Sequence, residues 1–171
     1  MSEIRNLCTT PYGSKRTIYS WNVDQSQDAE TGKWAYMARE SNGARGTFAF
    51  RMGATSVAPG VMLVCVYSCD NPALLTVPRN STDQRISGTD TTEGAVISQR
   101  MGWVAGRVVS TSGNNEIWIT HECGWTTLEG CAVFAAEDWE HVKQLYADGL
   151  LRMPWFAPPK DAQSGAPVLI P

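Results

Sequence analysis

The most apolar run of the chain, residues 61–67 (VMLVCVY), has no polar face: Val61, Leu63, Cys65 and Tyr67 share one parity, and Met62, Val64 and Val66 the other. Side chains of a strand alternate sides at every residue, so this pattern predicts a central strand covered on both faces. Its β-branched content, and the turn Ala58-Pro59-Gly60 ahead of it, favour strand over helix.

Shorter patterns flank it. Residues 16–23 (RTIYSWNV) and 33–39 (KWAYMAR) predict strands, with the polar stretch 24–32 as a loop between them. Asn42-Gly43 marks a tight turn, because both residues tolerate positive φ, and 47–52 (TFAFRM) then places Phe48, Phe50 and Met52 on one face. Residues 70–94 turn to Asn, Pro, Ser, Thr and Asp around a short apolar piece at 74–77, which predicts a long excursion across the top of a sandwich. Strands resume at 94–100, 103–110 and 116–120, the last two joined by the turn Ser112-Gly113-Asn114-Asn115. Beyond a turn at 124–130, a final strand covers 131–136.

Helical spacing occurs once, at 138–150, where Trp139, Val142, Leu145 and Tyr146 recur before Gly149 ends the pattern. Residues 153–171 carry five of the nine prolines, so they predict an extended tail and neither helix nor central strand. The sum is an all-β chain: an antiparallel, eight-stranded jelly-roll β-sandwich with one short C-terminal helix and an extended Pro-rich tail. The expected divisions are an N-terminal extension at 1–15, the sandwich at 16–152 and the tail at 153–171.

Composition narrows the function. The chain has 171 residues, of which 43% are hydrophobic and only 18% charged, and it carries seven Trp. Low charge argues against disorder and coiled coil. Residues 1–57 hold seven basic and five acidic side chains, 58–114 four of each, and 115–171 three basic and eight acidic. Lys15-Arg16 is the only adjacent basic pair, so strong direct nucleic-acid binding through a basic arm is not expected. The opposite polarity of the two ends suits contacts between neighbours in an assembly. The N-terminus lacks an apolar signal segment and 61–67 is far short of the ~20 residues of a membrane helix, so a soluble, non-secreted chain is expected. The sequon Asn80-Ser81-Thr82 then reads as an unmodified polar loop.

Candidate chemistry is sparse. The five cysteines (Cys8, Cys65, Cys69, Cys123, Cys131) are odd in number and lack CxxC spacing, which predicts reduced, buried thiols. His121-Glu122-Cys123 is the best constellation: a thiol of Cys123 or Cys131 with His121 or His141 as base would suit a Cys/His hydrolase, and His121, Cys123 and Cys131 would be metal ligands lacking a fourth. In strand parity His121 and Cys123 fall side by side, with Cys131 facing them across the turn. A structural role outweighs both readings, so no enzyme activity, catalytic residue, metal or cofactor is expected. Trp103, Trp118 and Trp125 could instead line up as a sugar platform on a β-sandwich carbohydrate-binding module. Trp155-Phe156, between prolines, reads as an anchor that inserts into a neighbour or back onto its own sandwich.

At 45–52 (RGTFAFRM) and 59–67 (PGVMLVCVY) the chain resembles the middle strands of jelly-roll coat proteins of picorna-like viruses. In that family a Gly-led, strongly apolar strand is followed by a Pro-containing loop, here Asn71-Pro72 and Val77-Pro78-Arg79. The segment 102–108 (GWVAGRV) and the Trp-bearing late strands are similar to the comovirus and nepovirus branch. The likeness spans about 30–140 in the order and spacing of elements. It implies a structural capsid protein that assembles with identical or sibling subunits into a non-enveloped icosahedral virion, in host cytoplasm during assembly, with no membrane partner. Surface loops would meet a host receptor or vector. Trp103, Trp118, Trp125, Trp155 and Phe156 are the expected subunit-interface residues.

Overall fold

The doubly apolar segment becomes β5 (Met62–Cys69), and apart from Ser68 every residue of it is buried. The computed structural model describes residues 3–13, 23–38, 46–51, 60–70, 75–76, 89–108, 116–121, 124–156 and 168–169. Within these, β1 is Glu3–Ile4, β2 Val23–Gln27, β3 Trp34–Ala38, β4 Gly46–Arg51, β6 Leu75–Thr76, β7 Thr89–Ser98, β8 Met101–Val108, β9 Glu116–His121, β10 Gly124–Phe134 and β11 Val168–Leu169, with one helix, α1 (Ala136–Ala147). The chain is therefore mostly antiparallel β-sheet with one short helix. A six-stranded sheet has the order β2-β3-β10-β5-β8-β7, a three-stranded sheet the order β4-β9-β6, and β1 pairs with β11.

β5 separates two apolar layers. Leu63, Cys65 and Tyr67 face Tyr36, Val104, Val108, Leu128, Cys131 and Val133, with Cys8 from the N-terminal segment. Met62, Val64 and Val66 lie on the other side with Trp103, Ala105, Ala132 and Phe134, under Trp139 and Val142 of α1. The helix has no side-chain N-cap, but Glu137 and Asp138 in its first turn favour the positive end of its dipole. It stops in a Schellman turn: Gly149 (φ 73°) donates to Tyr146 O and Leu150 N to Leu145 O.

Several expectations need correction. Part of the supposed loop 24–32 is β2, an edge strand paired with β3 from Val23↔Ala38 to Gln27↔Trp34. Its sequence, VDQSQ, carries no apolar face, since Asp24, Ser26 and Gln27 are exposed at the sheet margin, so apolar periodicity could not reveal it. The actual turn is tied by Asp28, whose Oδ1 accepts from Glu30 N (3.0 Å), Thr31 N (2.6 Å) and Thr31 Oγ1 (2.9 Å). Residues 16–22 of the expected first strand lie outside the described residues. The supposed turn 124–130 is the first half of β10, in which Gly124, Thr126 and Leu128 are buried and Trp125, Thr127 and Glu129 are more open. β7 likewise begins at Thr89, inside the expected excursion.

The expected N-terminal extension, 1–15, is built into the sheet over its described part. β3 reaches only residues 124–127 of β10, and the segment 3–13 takes over the vacated edge. Leu7 N donates to Val133 O (2.8 Å) and Cys131 N to Pro11 O (2.6 Å). The buried Asn6 carboxamide accepts from Val133 N (3.1 Å) and Cys8 N (3.0 Å) and donates to Phe156 O (2.9 Å), which ties the N-terminal segment and Phe156 to β10.

Candidate functional site

In an antiparallel ladder, opposed residues point to the same face, so the register can be read as rows of side chains. One row runs Asp24, Met37, Trp125 across β2, β3 and β10. It continues to Asp70, which accepts from Trp125 N through Oδ2 (2.9 Å) and donates its own N–H to Trp125 O (3.2 Å). The next row is Ser26, Ala35, Thr127, Ser68 and Met101. These rows share their face with α1 but lie beyond the apolar layer it covers, so this end of the sheet is half-buried to exposed. Trp125 is 38% exposed; among the described residues only it and Leu150 are exposed large hydrophobics.

Between the rows and the helix-covered layer the ladder shifts register at Leu128/Gly130, leaving Glu129 as the extra residue of a bulge. Its carboxylate is held on both oxygens: Ser68 Oγ donates to Oε1 (2.5 Å) and Lys33 Nζ pairs with Oε2 (2.6 Å). Held in this way, the carboxylate ties β10 to β5 and to Lys33, the residue before β3. Sequence reasoning missed this network because Ser68, Glu129 and Lys33 meet only through register. The arrangement offers a contact surface: one indole face, a thioether, two flanking carboxylates and a line of hydroxyls.

The expected interface residues are distributed unevenly. Trp103 is not at the surface; it is 8% exposed and packs edge-on against Trp139 at 5.6 Å, because β8 is an interior strand under the helix. Trp103 therefore presents no open ring face to the surface, unlike the expected platform residue. Trp118 has its backbone opposite Ala49 in the three-stranded sheet, and its side chain lies outside the described residues. Trp155 and Phe156 fold back onto their own sheet. Trp155 covers Gly130, donates Nε1 to Cys131 O (2.8 Å) and meets Tyr12 edge-on at 6.0 Å, while Phe156 packs on Phe134 at 5.4 Å. Of the named aromatics with described side chains, Trp125 is the exposed one, Trp155 and Phe156 being half-buried.

Only part of the Cys/His constellation falls within the described residues. His121 belongs to β9 of the three-stranded sheet, Cys131 to β10 of the six-stranded sheet, and Cys123 lies outside the described residues. His141 is exposed on α1. Cys131 is opposite Cys65, and the neighbouring Cys65 thiol, together with burial, pushes its thiol up. Burial likewise holds the Cys8 thiol up at about 12. These are protonated core thiols, not activated nucleophiles. Among the described residues no group of three or more His, Cys, Asp or Glu could hold a metal ion, and no helix is long and apolar enough to cross a membrane. No protein-family model, no curated protein and no solved structure matches the chain.

Proposed function

We propose that the chain is a jelly-roll subunit of a non-enveloped icosahedral capsid, assembling with identical or sibling copies. The observation that carries this reading is the strand order. A jelly roll is one long antiparallel double ribbon wrapped into two sheets, so its eight strands pair first with last, second with seventh, third with sixth and fourth with fifth. Numbered from β3, the pairs β3·β10, β4·β9 and β5·β8 follow that rule, and the rolled contacts β10·β5 and β9·β6 join them into sheets. Only the fourth pair departs, since β7 lies on β8. Successive strands β3, β4, β5 and β6 alternate between the two sheets, as wrapping of a ribbon demands.

The low charge supports the same reading, because a subunit that tiles a shell keeps less of its surface in water. Trp125, set between Met37 and Asp70, supplies a lateral contact of the kind that anchors interfaces. Virion and host cytoplasm are the proposed locations. A second reading, a glycan-binding module, is favoured by one feature, the Trp125 indole between Asp24 and Asp70.

Sedimentation velocity across a wide concentration range, with Trp125→Ala beside the unchanged chain, separates the two. Association that Trp125→Ala weakens about tenfold, at unchanged melting temperature, is the capsid expectation, since loss of an interface anchor costs more than about 1 kcal/mol. A chain that stays monomeric, with or without sibling coat proteins, contradicts it. Monomer that binds a glycan array through Trp125 supports the second reading.

A further inference from the structure

The central thiols are arranged for a reaction that neither functional reading uses. Cys65 and Cys131 are opposed in the β5·β10 ladder. The main-chain groups of Cys131 point away from β5: its N–H goes to Pro11 O (2.6 Å) and its C=O receives Trp155 Nε1 (2.8 Å). The pair is therefore of the non-hydrogen-bonded type, in which Cα atoms sit about 4.5 Å apart and side chains approach closest. That separation falls within the roughly 4.4–6.8 Å that a disulfide spans. Both side chains belong to the same buried layer, which also holds Cys8.

The geometry points to Cys65 and Cys131 as an oxidisable dithiol that closes into a cross-strand disulfide between the two central strands. In the reaction each thiol loses its proton, a Cys65–Cys131 S–S bond forms, and two electrons pass to a low-molecular-weight disulfide such as oxidised glutathione, which is cleaved to two thiols. The closed loop contains β6, β7, β8 and β9, so the bond would hold the strands on either side of it together even when their packing loosens. In the β5·β10 ladder Cys69 lies opposite Thr126 and Cys8 belongs to neither strand, so the register singles out Cys65 and Cys131. The inference is independent of capsid assembly.

Because both thiols are fully buried, the test begins from the unfolded chain: full-length protein is refolded from denaturant in a glutathione redox buffer, remaining thiols are alkylated, and unreduced peptides are read by mass spectrometry. The expected folded product is lighter by two hydrogens before alkylation, links the Cys65 and Cys131 peptides, leaves the other three cysteines alkylated and melts at a higher temperature than the reduced form. Cys65→Ala, or Cys131→Ser if that variant folds better, abolishes the link and the shift in melting temperature. Folded protein that stays reduced at both positions, or that carries a different pair such as Cys8–Cys131, overturns the inference.

Discussion

Trp139→Ala is expected to cost about 3–5 kcal/mol of stability, the range for deleting a large buried aromatic, with the slope of the denaturant titration unchanged. Trp139 is 1% exposed and connects α1 to the sheet. Its ring lies 6.2 Å from Phe134, stacked, and 5.6 Å from Trp103, edge-on. Its Nε1 donates to Glu93 Oε1 (2.7 Å), and Lys143 Nζ pairs with the other Glu93 oxygen (3.5 Å) while lying 5.7 Å from the indole centroid. Alanine removes the cover from Trp103 and leaves Glu93 to Lys143 alone. Trp139→Phe separates the terms: it keeps most of the apolar contact and loses the hydrogen bond, a loss of about 1–3 kcal/mol when a charged partner is involved. A cost below about 1 kcal/mol for the alanine variant would mean that α1 is not docked on this face.

The second large effect is expected at Gly130. A Cβ built there would sit within the Trp155 ring, so Gly130→Ala cannot be accommodated unless Trp155 moves off β10. Moving it breaks the Trp155 Nε1 to Cys131 O bond and the edge contact with Tyr12. Overpacking of this kind costs about 1–3 kcal/mol, and the lost hydrogen bond adds about 1. The decisive comparison is a double-mutant cycle. In a Trp155→Ala background the Gly130→Ala change is expected to become nearly neutral, giving a coupling of more than about 1 kcal/mol between the two sites. Additive effects would show that the tail does not rest on Gly130.

What could be read from the sequence depended on how each element meets water. β5 was legible because burial on both faces leaves a continuous apolar run, and α1 because Trp139 and Val142 recur at helical spacing. β2 was hidden because an edge strand of Asp, Gln and Ser has no apolar signature. The first half of β10 was taken for a turn because Gly124 and Gly130 bracket it, although Thr126 and Leu128 already alternate with Trp125 and Thr127. At the candidate site, exposure was the missing information. Trp103 and Trp125 look alike in sequence, yet one lies under a helix and the other on an uncovered row. The Ser68–Glu129–Lys33 brace and the Cys65·Cys131 pair depend on register across strands distant in sequence, which local patterns do not encode.

Negative-stain electron microscopy of the expressed chain, alone and with sibling coat proteins, tests the proposed function most directly. Closed shells of uniform diameter are expected in at least one of these preparations, and their loss or marked reduction with Trp125→Ala. A field of separate folded subunits at every concentration, with siblings present, would contradict it.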